Sequence, residues 1–221
     1  MVEVPEMIPY KDLHPSSRFP WITITLIAVN LGVFLYQVFL PESQEIRFIE
    51  HYAVVPAHFH GPTVLTALFL HGGLFHLIGN MLYLWIFGDN VEDRMGPIRF
   101  LFFYLLCGIV ATVAQLYANL QSTLPALGAS GAIAGILAAY LRLFPKAKIA
   151  VLIPIFYFFR TIILPAWLVL GFWILLQFLE VRLAPSDVAQ PTGGIAYFAH
   201  IGGFAAGFLL MPLFVRKKIR R

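Results

Sequence analysis

Long apolar runs separated by short polar breaks dominate the chain. The pattern predicts six membrane-spanning helices, over about 21–40, 71–88, 98–118, from Ser130 to just before Pro145, over about 165–183 and over about 196–214. Several of these runs approach or exceed the roughly 18–20 apolar residues that cross a bilayer. They do not alternate apolar with polar positions, which argues against a transmembrane β-barrel. The run 149–163, "IAVLIPIFYFFRTII", is interrupted by Pro154 and Arg160 and reads as an interfacial segment leading into the fifth span. The longest connection, about 41–70, mixes charges with apolar stretches such as "VVPAHF" and reads as a segment of the outer interface. The expected fold is therefore all-α and polytopic, a six-transmembrane-helix bundle. Its expected parts are a short cytoplasmic N-terminal segment (1–20), a membrane domain (21–214) and a basic cytoplasmic tail (215–221).

Composition and charge sharpen this picture. Hydrophobic residues make up 60% of the 221 residues and charged ones 12%, against about a quarter charged in soluble domains. The net charge of +4 could suggest nucleic acid, but the placement of the basic residues argues otherwise. With six spans, thirteen of the 15 Lys and Arg fall on one side, and only Arg47 and Arg182 on the other. By the positive-inside rule both termini are then cytoplasmic. A seventh span through 149–163 would put the cluster "RKKIRR" on the wrong side. That cluster is expected to touch anionic lipid headgroups, and no nucleic-acid partner is expected. Residues 1–20 carry acids and prolines and no apolar core, so no cleavable signal peptide is expected and the first span would serve as anchor. The expected location is a prokaryotic plasma (inner) membrane. Cys107, the single cysteine, cannot form an intramolecular disulfide. His58 and His60 lack a nearby third ligand, and no metal is expected.

Polar side chains inside spans are costly and mark function by default. Here they are Ser130 at the start of span four, His76 and Asn80 in span two, and His200 in span six. Spans two, four and six run in the same direction, so all four residues fall near the outer ends of their helices. Alone, Ser130 would read as a serine bonded back to its own helix. The depth match changes that reading. Serine and histidine are short, so their helices must approach closely, and spans four and six carry small residues four apart: Gly131 and Gly135, Gly203 and Gly207. At a helix start the first N–H groups lack internal partners and can donate to a developing oxyanion. His76 and Asn80, four apart, share a helix face and can donate toward the same point. A nucleophile, a base and a cluster of donors are what acyl transfer requires. Asp187 lies in a loop and Glu180 far along span five, so a Ser–His dyad fits better than a triad. From Ser130 to Phe144 the helix is roughly 22 Å long, against a hydrocarbon core of about 30 Å. The serine is thus expected below the outer surface, reached by an outward-facing polar cavity. The loop 184–195 is a candidate lid.

"GASG" with Ser130, "HGGLFHLIGN" with His76 and Asn80, "FGDNVEDRMG", and "AHIGGFAAG" with His200 occur in order on this chain. The pattern resembles the rhomboid family of intramembrane serine proteases, over roughly 60–212. The resemblance implies Ser130 as nucleophile, His200 as general base, and His76, Asn80 and the Ser130 N–H as oxyanion hole. It implies cleavage of membrane-anchored proteins within or near their transmembrane segment, with no metal or other cofactor and no ATP. It also implies lateral opening between helices, often through span five and the last outer loop. Many members carry an aromatic residue under the histidine where this chain has Ala134, and a Trp-Arg pair in loop one, the 41–70 connection, that this chain lacks. Glu92 and Arg94 are expected to brace the turn between spans two and three, and His71 to bond the outer loop. The rival readings are a catalytically silent member that binds transmembrane helices, and a transporter. The silent member should lack the serine or the histidine. A transporter usually shows repeats, broken spans or intramembrane acids.

Overall fold

The computed structural model describes residues 8–155, 158–183 and 196–216. Strand β1 (Ile8–Asp12) precedes helix α1 (Trp21–Val38). The connection that follows holds helix α2 (Glu42–Tyr52), a 3-10 turn at Pro56–His58, helix α3 (Thr63–Thr66) and a second 3-10 turn at Ala67–Phe69. Helices α4 (Leu74–Met95), α5 (Pro97–Ala118) and α6 (Ser130–Leu143) come next. The hairpin β2 (Lys148–Ile155) and β3 (Phe158–Pro165) leads directly into α7 (Ala166–Leu183), and α8 (Tyr197–Phe214) completes the described helices.

Helix boundaries fall where the backbone chemistry demands. Between α4 and α5, Gly96 has φ +82°, a conformation that side chains with a Cβ rarely adopt. Pro97 then opens α5 at the position where a missing N–H costs nothing. Pro145 follows α6, and Pro165 is the last residue of β3 before α7 begins.

The protein is an α-helical polytopic membrane protein. By length and composition, α1, α5, α7 and α8 can each cross a membrane, and the segment 63–69 with α4 counts as a fifth span if the two, bent by 93°, are taken together. The six-span count therefore rests on α6, which has only 14 residues, roughly 21 Å of helix.

The segment 149–163, expected to lead into the fifth span, does so as strands. It forms most of an antiparallel hairpin, with β1 added on its other side to give a three-stranded sheet in the order β1-β2-β3. Ile149, Val151, Ile162 and Ile163 are β-branched and suit a pleated strand. Ile149 and Val151 are fully buried, which fixes the register.

Helix α6 lies at the centre: residues 131–140 are all buried. Around its far end, Phe87, Phe100, Phe103, Tyr104 and Tyr140 fill the core. Glu92 differs from expectation. Its carboxylate does not brace the α4–α5 turn but accepts the N–H of Ile22 at 3.0 Å and, through the other oxygen, the N–H and hydroxyl of Thr23, both at 2.8 Å. A carboxylate there meets the open donors of α1 and the positive end of its dipole. The Arg94 carbonyl accepts the Arg216 N–H at 3.2 Å, and its guanidinium lies 5.8 Å from the Phe144 ring. The expected lid, 184–195, lies outside the described residues, as does all of the basic tail beyond Arg216.

Candidate functional site

The site begins with contacts between backbones. A Cβ placed on Gly203 would strike the Gly131 carbonyl oxygen, and one on Gly207 the Gly135 carbonyl oxygen. A Cβ on Gly131 would lie 2.5 Å from the Ala111 Cβ, and one on Gly135 2.5 Å from the Cys107 Cβ. Helices α5, α6 and α8 thus meet at distances that only glycine permits along this seam. Gly131 also sits 3.6 Å, by the same measure, from the Ala199 carbonyl oxygen. Ser130 and His200 are the neighbours in sequence of that contacting pair, so the seam brings their two backbones together.

Ser130 is the first residue of α6 and is half-buried, following the fully buried Ala129. The approach to it is held by loop one. Val54 and Ala126 exchange backbone bonds of 3.0 and 2.8 Å, and the Gly128 N–H donates to the Ala67 carbonyl at 2.9 Å. The 41–70 connection therefore sets the path of the chain into Ser130, a role its sequence does not announce.

His76 and Asn80 occupy one face of α4, over the same stretch. A Cβ on Gly128 would lie 2.8 Å from His76 Cε1, 2.9 Å from His76 Nε2 and 3.9 Å from Asn80 Nδ2. Gly128 has φ +124°, so both conformation and space require glycine. Asn80 is buried, and its Nδ2 has no hydrogen-bond partner among the described residues. A buried amide donor without a partner is costly unless something transient occupies it. His71 packs edge-on to His76, with ring centroids 5.2 Å apart. Its backbone N–H and carbonyl bond the Gln37 side chain of α1, each at 3.2 Å. It thus ties the start of α4 to α1 through its main chain.

His200 is 8% exposed. Its Nδ1 lies 2.6 Å from Gln177 Oε1 of α7, and the Trp173 ring stacks at 5.6 Å with a 39° tilt. Neither residue is an acid of the kind that completes a triad. The signal was present nonetheless: Gln177 is a polar amide inside an apolar run, like Asn80. A narrow cleft lined by Ser130, Gly128, Thr112, Gln115 and Ala199 opens beside the seam.

The fold is that of a helical membrane protein in which α5, α6 and α8 meet along a glycine-tight seam. Residues 59–217 match the Rhomboid domain, and the chain belongs to the rhomboid family. It is 30% identical over 209 residues to Rhomboid protein 1, mitochondrial, of Saccharomyces cerevisiae, covering 90% of this chain and 54% of that protein. It is 32% identical over 142 residues to the presenilin-associated rhomboid-like protein, mitochondrial, of Bos taurus, covering 62% of this chain and 37% of that protein. It is also 27% identical over 194 residues to Rhomboid-like protein 11, chloroplastic, of Arabidopsis thaliana, covering 85% of this chain and 63% of that protein. The chain spans roughly 37–63% of the length of these relatives. The family includes intramembrane serine proteases, which act on transmembrane substrates.

The relatives overturn the expected prokaryotic plasma membrane, because those whose names give a location are mitochondrial or chloroplastic. Charge asymmetry explains the error. Lys and Arg bias record which face of a membrane the short loops keep to, and carry nothing about which membrane it is. The multi-pass character stands.

Proposed function

We propose that this protein is an intramembrane serine endopeptidase, with Ser130 as nucleophile and His200 as general base. The carrying observation is the Gly131–Ala199 contact, which sets the start of α6 against α8 beside both residues. In this reading Ser130 Oγ attacks the scissile carbonyl carbon while His200 takes its proton. The oxyanion receives hydrogen bonds from the Asn80 amide, the His76 ring and the Ser130 N–H. Asn80 Nδ2, buried and unpartnered, is the donor such an intermediate would engage. Collapse of the intermediate expels the amine with the proton held by His200. Water then hydrolyses the acyl-enzyme and restores the serine. The substrates are proteins anchored by a transmembrane segment, cut within or near it.

The test is labelling of detergent-purified protein by a fluorophosphonate, comparing wild type with Ser130→Ala and His200→Ala. Labelling of wild type alone supports the dyad. Equal labelling of Ser130→Ala removes the nucleophile, and a folded wild type that does not label favours a silent, helix-binding member.

A further inference from the structure

The inward face of α7 is a stripe of five positions. Ala166, Val169 and Leu170 are buried, Trp173 packs on the core, and Gln177 is 9% exposed. Around the stripe, Trp167, Leu168, Leu175, Phe178 and Leu179 are exposed, as expected of a helix facing lipid. Gln177 is the one polar residue of that stripe. A buried amide there is costly unless bonded, and it meets His200 Nδ1 at 2.6 Å. Trp173, one turn earlier on the same face, lies against the His200 ring and against Phe204.

We infer that Gln177 is a positioning residue for His200, acting with Trp173 as the support of the imidazole. The chemistry follows from the atoms. The Gln177 Oε1 is an acceptor only, so the short contact requires a proton on His200 Nδ1. A neutral imidazole has one ring proton, so Nε2 then carries the lone pair. That is the tautomer a base needs if Nε2 faces the serine hydroxyl. Gln177 does the tautomer-fixing work that an acid does in a triad, without placing a second charge in the membrane. It leaves the imidazolium less stabilised than a carboxylate would. On α6 the small residues Gly131, Ala134, Gly135 and Ala138 admit α8 closely but offer no ring or acceptor. The support comes from α7 instead.

This inference rests on the dyad reading, and the experiment separates the two. Rates of fluorophosphonate labelling are measured against pH for wild type, Gln177→Leu and Gln177→Glu, alongside thermal unfolding. Gln177→Leu, which keeps the volume and suits the membrane, is expected to unfold like wild type and to label about tenfold more slowly, as the loss of one net hydrogen bond would give. Gln177→Glu restores the acceptor. Its rate should recover relative to Gln177→Leu, with the acidic limb moved to higher pH, because a carboxylate favours the imidazolium. A packing role alone predicts neither recovery nor a moved limb. Labelling of Gln177→Leu at the wild-type rate, or equal slowing of both variants with an unmoved limb, overturns the inference and leaves the dyad standing. If wild type does not label, the dyad reading fails. The hydrogen bond is then decided by nitrogen-15 NMR of the histidines in Ser130→Ala. A hydrogen-bonded His200 Nδ1 proton that vanishes on adding Gln177→Leu supports the positioning role, and its absence in Ser130→Ala overturns it.

Discussion

A methyl group at residue 128 would meet the His76 ring at 2.8 Å, on a backbone whose φ of +124° already excludes most side chains. Gly128→Ala should therefore displace His76 or re-route the chain into Ser130. The expected outcome is a fall in fluorophosphonate labelling of about a hundredfold or more, in the range that loss of an oxyanion donor produces. Wild-type labelling by this variant would show that His76 and Gly128 need not stay in contact. At this scale the polar residues of the spans are what the sequence displays most plainly. Ser130, His76, Asn80 and His200 stand out because a polar side chain in an apolar span has few ordinary reasons to be there. Gln177 obeys the same rule, but its partner lies on a different helix and a triad calls for an acid, not an amide. The neutral acceptor that the geometry supplies becomes visible only when α7 is packed against α8.

The elements differ in how plainly the chain declares them. Apolar runs without breaks place α1, α5, α7 and α8 within a few residues, since a long buried or lipid-facing helix leaves no other pattern. The run 149–163 is β-branched, aromatic and interrupted by proline, and periodicity alone does not separate a strand from an interfacial helix there. Its state is settled by pairing with β1, some 140 residues away in sequence (Ile8 opposite Leu152). Glu92 is a second case. Three donors of α1 converge on its carboxylate, and each buried donor left unmet costs about 1–3 kcal/mol. Glu92→Ala is expected to lower the melting temperature by about 5–10 °C, and an unchanged melting temperature would show that water serves those donors equally well. The sheet is tied to the bundle through Asp12. One oxygen of that carboxylate accepts the Tyr140 hydroxyl at 2.7 Å and the Asn90 amide at 2.8 Å. Burial holds the Asp12 carboxyl above its ordinary value, against the opposing pull of the Tyr140 bond. A raised value in the folded state means the contribution is full below the ordinary carboxylate value of about 4 and is lost as the pH rises through the raised one. Asp12→Asn removes the charge and keeps an acceptor, so its melting temperature should gain on wild type between pH 4 and pH 7. A difference that does not vary with pH would mean that solvent reaches the carboxylate freely.

For the molecule as a whole, the decisive quantity is the mismatch between α6 and a membrane. Fourteen residues give roughly 21 Å of helix against a hydrocarbon core of about 30 Å. With its far end held at the level of Tyr140 and the sheet, the Ser130 end must stop short of the opposite surface. The proposed hydrolysis needs water at that depth, and the half-buried state of Ser130 leaves room for a path to it. The charge asymmetry predicts a direction. Lys146 and Lys148 follow α6, and the positive-inside rule with six spans puts them on the basic side and Ser130 toward the other. In proteoliposomes of known orientation, with Cys107→Ala removing the native thiol, a membrane-impermeant maleimide should label Ser130→Cys from the side opposite to the one that labels Lys146→Cys. Labelling of both from one side would mean that α6 does not cross the membrane. Labelling of Lys146→Cys alone would mean that the junction of α5, α6 and α8 is dry, and that water must enter with the substrate and not ahead of it.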